Sequence, residues 1–348
     1  MERLNRFLIN TDSRIPKYKQ VMDSIINGIN NGTLGMGERI PSINEVSEEY
    51  LLSRDTVEKA YGLLKEKRII VSVKGKGYYI AKTDLSIKVN VLFLINKLST
   101  YKMHIFNTFV NSLGTNANVD LDIYHCEPLV FSNILEKKKD FYDYYVIMPH
   151  FKNEDLQHMG CTDEILKAIH SIPNGKLIIM DRNLKSLSKE AGRIYQDFTE
   201  DIFKALTAAY DKLKNYRKIM LVYPNKSVYP YPKGIVTGFK RFCIQHNMNY
   251  EILDEIYEGM ELQLKDLYII IEEDDLVHLV KQVRDRHYKM GEDIGIISYN
   301  DTPLKELLGI TVMSTNFKKM GEEAAKMILN NKRIEVKNEF NFIDRFSL

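Results

Sequence analysis

The stretch that decides the fold is Arg39–Ile80, RIPSINEVSEEYLLSRDTVEKAYGLLKEKRIIVSVKGKGYYI. Ser42 is followed three residues on by Glu45, the spacing of a capping box, in which each side chain satisfies a backbone amide at a helix start. Ile43, Val46 and Tyr50 then share one helical face. Leu51-Leu52-Ser53-Arg54 turns the chain, and Ser53 is suited to cap a second helix whose buried face is Val57, Ala60, Tyr61 and Leu64. Two β-branched and aromatic runs follow, joined by Lys74-Gly75-Lys76-Gly77, so a hairpin with cations at its tip is expected. Two helices and a basic hairpin in this order predict a winged helix-turn-helix.

That prediction makes a demand on a partner. Arg54, Asp55, Glu58 and Lys59 point outward from the first two turns of the second helix, the element that such a motif lays in the major groove of double-stranded DNA. An arginine there can grip a guanine edge with two hydrogen bonds, which makes Arg54 the candidate base reader. Lys74 and Lys76 at the hairpin tip are placed for phosphates or the minor groove, and add affinity rather than sequence choice. Ser42, Ser53, Thr56 and Gly75 complete the candidate DNA-binding set. The glycine-lysine loop lacks the Walker spacing and opens no helix, so it is not read as a phosphate cradle. A capped helix pair with a basic hairpin also suits a protein-interaction module.

Charge is distributed accordingly. Residues 1–82 hold 14 lysines and arginines against 10 acids, a net +4, which leaves −2 on the remainder of a chain whose total is +2. The positive charge collects where nucleic acid would be met. Three well-separated cysteines, Cys126, Cys161 and Cys243, offer neither a disulfide framework nor zinc spacing, in keeping with a reducing cytoplasm. No apolar run approaches ~20 residues and no charged-then-apolar leader opens the chain, so neither export nor membrane spanning is expected.

Before the decisive stretch, Met1 to Arg14 is a polar lead-in; Tyr18, Val21, Met22, Ile25, Ile26 and Ile29 then repeat at helical spacing until Asn31-Gly32. Ala81 to Lys88 changes pattern. The expected division is a DNA-binding domain over 1–82, a joint at 83–88 and a second domain, for effector binding and dimerisation, over 89–348. In that second part strand and helix alternate: VNVLFLI, a helix over 104–117, VDLDIY, YYVIM, a helix near 162–171 and KLIIM. The alternation resumes with RIYQD, a helix from Thr199 to Leu213, KIMLVY, a helix from Lys233 to His246, YEILD, LYIII, a helix from Asp274 to His287, and IGIIS. Repeated strand-helix units predict an α/β fold of two lobes with parallel sheets covered on both faces, and a ligand cleft outside the carboxyl ends of the strands.

Residues 15–80 resemble the GntR class of bacterial transcription regulators, through Pro16 and Tyr18, Gly32, Ile40-Pro41-Ser42, Ser53-Arg54 with Thr56-Val57, and the glycine-lysine-glycine wing. That family often has arginines where this chain has Asn44 and Glu58, so contacts are not carried over to those two positions. Residues from about 88 onward resemble the LacI/GalR effector domain, a relative of the periplasmic sugar-binding proteins. The clearest match is EDIGIISYNDTPLKELLGITVMSTNFKKMGEEAAKMIL, supported by Met180-Asp181-Arg182, Tyr195-Gln196-Asp197, Gly238-Phe239 and Arg345-Phe346-Ser347. Asn300 stands where that family has a carboxylate binding sugar hydroxyls, Asp301 follows it, and Glu272 takes the place of another polar ligand contact. Ile235 occupies the position of a sugar-holding arginine, with Lys233 as its replacement. Ser99, Tyr101 and His104 after the first strand, His150 and Phe151 after the third and Asp181 after the fourth complete the candidate effector set.

A small polyol needs hydrogen-bonding groups at its rim and an apolar surface against its carbon face, and these residue types supply both. Asp274 and Asp275 read most simply as a solvated first helical turn rather than a metal site. No nucleophile elbow or metal helix is present, so no catalytic activity and no cofactor are expected. The implied protein is a cytoplasmic transcription regulator, a repressor by the simplest reading, that is similar to arabinose-responsive repressors in its two-part design. It would bind a pseudo-palindromic operator as a homodimer and respond to a monosaccharide. A non-sugar effector, or an enzyme of sugar phosphates with a DNA-binding domain attached, stays open.

Overall fold

The computed structural model describes Ile9 and residues 15–30, 32–81, 88–188 and 190–348. They fall into two compact units, Met1–Ile87 and Lys88–Leu348. The polar lead-in apart from Ile9, Asn31 of the expected helix stop, and the expected joint apart from Lys88 lie outside the described residues.

In the first unit α1 (Lys17–Asn30) is followed by β1 (Arg39–Ile40), α2 (Ile43–Glu49), α3 (Arg54–Glu66), β2 (Ile70–Val73) and β3 (Gly77–Ile80). The capping box forms as expected: Ser42 Oγ accepts from the Glu45 amide at 3.2 Å while Glu45 Oε2 accepts from the Ser42 amide at 2.5 Å. Ser53 Oγ caps α3 by accepting from the Thr56 amide at 3.3 Å. The three strands pair antiparallel in the order β1-β3-β2. Val21 and Ile25 of α1, Val46 of α2 and Val57, Ala60 and Leu64 of α3 meet in one core closed by Ile70 and Ile80. The buried Tyr61 hydroxyl donates to the Pro41 carbonyl at 2.7 Å, which fixes α3 against the turn before α2. The wing turn needs glycine at Gly75 and Gly77, whose φ of 74° and 104° lie in the left-handed region.

The second unit runs β4 (Val89–Ile95), α4 (Thr100–Leu113), β5 (Ala117–Ile123), α5 (Pro128–Lys138) and β6 (Tyr144–Ile147). A short antiparallel ladder of β7 (Phe151–Lys152) with β8 (His158–Met159) precedes α6 (Asp163–His170), β9 (Leu177–Asp181) and β10 (Gly192–Tyr195). Then come α7 (Phe198–Ala208), α8 (Tyr210–Leu213), β11 (Lys218–Val222), α9 (Gly234–Gln245), β12 (Tyr250–Leu253) and β13 (Asp266–Ile270). The remainder is α10 (Glu273–Asp285), β14 (Ile294–Tyr299), α11 (Pro303–Leu307), β15 (Thr311–Thr315), α12 (Phe317–Leu329), β16 (Glu335–Lys337) and β17 (Phe340–Ile343).

Two six-stranded sheets result, ordered β16-β10-β9-β6-β4-β5 and β12-β11-β13-β14-β15-β17. The first is parallel throughout, and in the second only β17 is antiparallel. Both faces of each sheet carry an apolar cluster, which is why β4, β9, β13 and β14 read as near-continuous hydrophobic runs. These are the two lobes expected.

The boundaries differ in instructive ways. The helix expected over 104–117 lies at Thr100–Leu113. Helix α5 was not anticipated: only its Phe131 and Leu135 are buried while Leu129 is 77% exposed, so the helical period is blurred in sequence. The strand in RIYQD pairs with β9 and β16 and so belongs to the first lobe, not the second. The chain therefore passes between sheets three times, at 196–197, at Asn316 and at 338–339. Asn338, 3% exposed, ties these passages together, its amide donating to Thr315 Oγ1 at 2.8 Å and the Asn316 carbonyl at 3.0 Å, its backbone N–H to the Tyr195 carbonyl at 2.8 Å.

In the second lobe α7 and α9 pack so closely that a Cβ on Gly238 would fall 2.2 Å from the Thr199 carbonyl oxygen and 2.5 Å from Ile202 Cγ2. Gly238→Ala should lower stability by about 1–3 kcal/mol through overpacking, against the ~1 kcal/mol that alanine adds to a helix. Urea unfolding reads this directly, and an unchanged midpoint would mean the helices can move apart freely.

Candidate functional site

Two surfaces need separate accounts. On the first unit α3 exposes Arg54 and Asp55 at its start, and the β2–β3 turn exposes Lys74, Gly75 and Lys76. Ser53 Oγ and Thr56 Oγ1 lie 2.7 Å apart at the helix start. Ser42 is the cap of α2, its hydroxyl engaged with the Glu45 amide. Lys59 is exposed but not free, its ammonium resting 4.3 Å from the ring centroid of Tyr18 on α1. The helix thus presents one guanidinium at its tip and the hairpin two ammonium groups.

On the second unit the carboxyl ends of β4, β6 and β9 face those of β11, β13 and β14 across a crevice. Its inner hollow lies between Asn96, Lys97, Tyr101, Lys102, His150 and Asp181 on one side and Tyr231, Ile235, Tyr299 and Asn300 on the other. An outer hollow shares Lys97, Tyr101, Tyr231, Tyr299 and Asn300 and adds Ser99, Glu272, Glu273, Asp274 and Lys305. Asp181 and Asn300 hold left-handed backbone, with φ of 72° and 67°. Such conformations cost free energy in residues other than glycine, and here one terminates the β9 strand and the other follows β14, on opposite walls.

The first wall carries a directed chain of hydrogen bonds. Asp181, 3% exposed, accepts from His150 Nε2 at 2.7 Å and from the Gln196 amide. Burial opposes its ionisation, but the hydrogen bond and charge of His150, with Lys102 and Gln196, hold its carboxyl below the usual range at about 2. Burial pushes the His150 imidazole down to about 4, against the pull of Asp181. Near neutral pH we therefore assign an ionised Asp181 and a neutral His150 whose proton sits on Nε2. Its Nδ1 must then accept, and His158 Nε2 stands 3.2 Å away to donate.

Beside this chain Lys102, 1% exposed, donates to Asn96 Oδ1, and Asn96 Nδ2 reaches Cys126 Sγ at 3.1 Å. Burial lowers the Lys102 ammonium to about 8. Lys97 donates to the Tyr231 hydroxyl at 3.3 Å and lies 4.6 Å from that ring's centroid. On the facing wall the buried Tyr299 hydroxyl finds no partner among the described residues. Lys305 donates to the carbonyls of Tyr299 and Asn300, both at 3.0 Å, and so grips the turn that presents Asn300. Burial raises the Glu272 carboxyl, with Lys97 pulling the other way. The crevice thus offers fixed donors, carboxylate acceptors and several ring faces, the equipment for holding a polar ring compound.

Of the expected effector residues, Ser99, Tyr101, His150, Asp181, Glu272 and Asn300 line the crevice. Four others do not. Phe151 is fully buried in the first lobe against Tyr124 and Phe131, at ring distances of 5.2 and 5.1 Å. His104 is exposed on α4, because Lys102, Ile105 and Phe109 take that helix's inward face. Asp301 is engaged by Arg345 through two bonds of 2.9 and 2.8 Å, a clamp on the C-terminal segment. Lys233 is exposed at the start of α9 and donates to Gln157 of the opposite lobe at 3.2 Å, so it spans the rim rather than lining the hollow. Asn96, Lys97, Lys102, Gln196, Tyr231, Tyr299 and Lys305 were missed. Lys102 left a signal, a charge on the otherwise apolar stripe of α4; Tyr231 lies in a Pro-Tyr-Pro loop that no local rule connects to β4.

No described helix is long and apolar enough to cross a membrane, and no described group of three or more acidic, histidine or cysteine side chains could hold a metal. Residues 17–80 match bacterial regulatory proteins of the gntR family, and residues 212–339 match the periplasmic binding protein-like domain. The chain is 35% identical over 77 residues to the HTH-type transcriptional repressor NagR of Bacillus subtilis, covering 22% of this chain and 32% of that protein. It is 30% identical over 71 residues to the arabinose metabolism transcriptional repressor of Geobacillus stearothermophilus, 20% of each. The matches thus span a third or less of those two relatives. Among solved structures, the trehalose repressor from Escherichia coli superposes with a TM-score of 0.59 at 13% identity, covering 73% of this chain and 99% of that one. A LacI family transcriptional regulator from Lactobacillus casei with bound glucose gives 0.58 at 12% identity, covering 74% and 99%. The chain joins a helix-turn-helix domain of the GntR family to a periplasmic-binding-protein-like domain with the fold of LacI-family regulators.

Proposed function

We propose that this protein is a sequence-specific DNA-binding transcription regulator, acting as a repressor, whose operator affinity is set by a small sugar held between the two lobes of the second unit. The observation that carries the reading is the coexistence of an exposed Arg54 and cationic wing with a polar crevice built on two left-handed residues from opposite lobes. Arg54 reads a base, while Lys74 and Lys76 hold phosphates. Asn300 and Asp181 orient hydroxyls, and the rings of Tyr101 and Tyr231 cover the carbon face. Asp55, Thr56 and Gly75 follow the groove and backbone without setting base choice. The working form is a cytoplasmic homodimer on a pseudo-palindromic site, because two half-sites multiply the modest affinity of one module. No turnover of the sugar is expected.

The coupling is a population shift. A sugar that prefers closed lobes can change DNA affinity only by its differential affinity for the closed and open arrangements. A coupling of about 1–3 kcal/mol corresponds to about 5- to 150-fold. Calorimetric titration of the sugar with and without operator should give affinities differing by that factor, and equal values would remove the allosteric link. On an operator selected from random duplexes, Arg54→Ala should cost about 1–3 kcal/mol and relax preference at one base pair, whereas Lys76→Ala should weaken all sequences alike and flatten the salt dependence. Retained base discrimination in Arg54→Ala would exclude Arg54 as the reader.

The charge pattern of the crevice also sets a pH limit. His150 and His158 are held by burial at about 4 and about 2, below the unfolded value near 6.5, so the unfolded state binds the extra protons first. Their contribution to stability is complete above about pH 6.5 and is lost as pH falls toward the folded values, by at most about 1.4 kcal/mol per pH unit for each group. Asp181 adds a further loss below its unfolded value. Urea midpoints should fall on acidification below about pH 6.5, with a shallower slope in His158→Gln; identical slopes would place the acid sensitivity elsewhere.

A further inference from the structure

We propose that the effector is an anionic sugar, carrying a carboxylate or phosphate, whose negative group sits at the start of α4 between Lys97 and Lys102; this rests on the crevice being the effector site. The inner hollow holds three charged side chains, Lys97, Lys102 and Asp181. Asp181 already accepts from His150 on one oxygen and from Gln196 on the other, and its charge favours the Lys102 ammonium only through space, without an ion-pair contact to either lysine among the described residues. Lys102 is 1% exposed, and the neutral Asn96 oxygen is its one hydrogen-bond acceptor among the described residues. An ammonium has three N–H donors, and removing it from water without a counter-ion in contact is costly. Lys97 likewise has neutral groups in contact, the Tyr231 hydroxyl and the rings of Tyr231 and Tyr229. Glu272, in the outer hollow, acts on Lys97 through space and is not in ion-pair contact with either lysine among the described residues.

The backbone adds to this demand. The first turn of α4 contains no acidic side chain, Ser99 gives it no side-chain cap, and it carries Lys102. The first amides of a helix have no intrahelical acceptors and favour negative charge, so a lysine in that turn raises an unmet positive potential. Across the hollow the Tyr299 hydroxyl, 4% exposed and without a partner among the described residues, lies where it can donate to the same ligand. A carboxylate or phosphate between the lysines would answer all three features, and its attached sugar would extend toward Asn300 and Asp181. The acids of the outer hollow, Glu272, Glu273 and Asp274, disfavour the reverse orientation.

Thermal-shift and calorimetric titrations of the full chain against three classes separate the sources: neutral pentoses and hexoses, the corresponding aldonic and uronic acids, and their monophosphates, with inorganic phosphate as a probe of the charge alone. The expected result is binding by one anionic class, weakened by added salt and by about ten- to a hundredfold in Lys102→Met, with Asn300→Ala weakening it as well. Lys97→Met, at a half-buried position, serves if Lys102→Met does not fold. Binding confined to neutral sugars, or anion binding that survives both lysine substitutions, overturns the charge assignment and leaves the sugar crevice standing. A chain that binds none of the three classes overturns both.

Discussion

A carboxylate withdrawn from water has to be satisfied on every lone pair it can use, and the second unit is arranged around that requirement at Asp181. Two elements meet it. His150, from the end of the β6 strand, supplies one donor, and Gln196, from the first passage between lobes, supplies the other. Because Asp181 ends β9 in left-handed backbone, its side chain is turned out of the sheet toward the crevice rather than along the strand. The same carboxylate therefore anchors a wall of the crevice and a segment that must bend if the lobes move.

Under the proposed function, that double attachment would carry effector occupancy to the passages between the lobes. The three interlobe passages are cross-bonded by Asn338, so a change at Gln196 is shared with the segments at Asn316 and Asn338. At the opposite side of the crevice the loop after β11 reaches over to the first lobe through Tyr231 to Lys97, through a 3.1 Å contact of Tyr229 with His125, and through Ser227 to the Leu156 carbonyl at 3.3 Å. Passages on one side and a polar loop on the other leave a rotation that opens and closes the crevice as the soft motion. Exposed polar contacts of this kind are each worth little, so a ligand's differential affinity can outweigh them.

The first unit follows a different economy. Its core is small, and order comes from local devices: two capped helices, a glycine turn and the Tyr61 hydroxyl bonded across twenty residues to Pro41. The caps and the turn are legible in a few consecutive residues; the Tyr61 bond is not. This is why its helices, its hairpin and its outward-facing residues could be assigned in advance, whereas the two-residue β1 and the stacking of Lys59 on Tyr18, which depend on elements far apart in sequence, could not.

For the second unit the sequence by itself determined the class of fold and the strand ends from which a site must be built, because buried parallel strands write themselves as apolar runs and their carboxyl ends follow by rule. It placed Asp181, Asn300, His150 and Tyr101 at those ends. It could not say which of them turn inward. Phe151 and His150 are neighbours, yet one fills the core and the other the crevice, and Asp301 is drawn away from its neighbour Asn300 by Arg345 forty-four residues on. Only tertiary structure decided that Gly192–Tyr195 stays in the first sheet, that Glu335–Lys337 crosses back to it, and that Lys97, Lys102, Tyr231 and Tyr299 converge. Periodicity records which face of an element is buried. It carries no information about which distant element buries it, and a site between two lobes consists of little else.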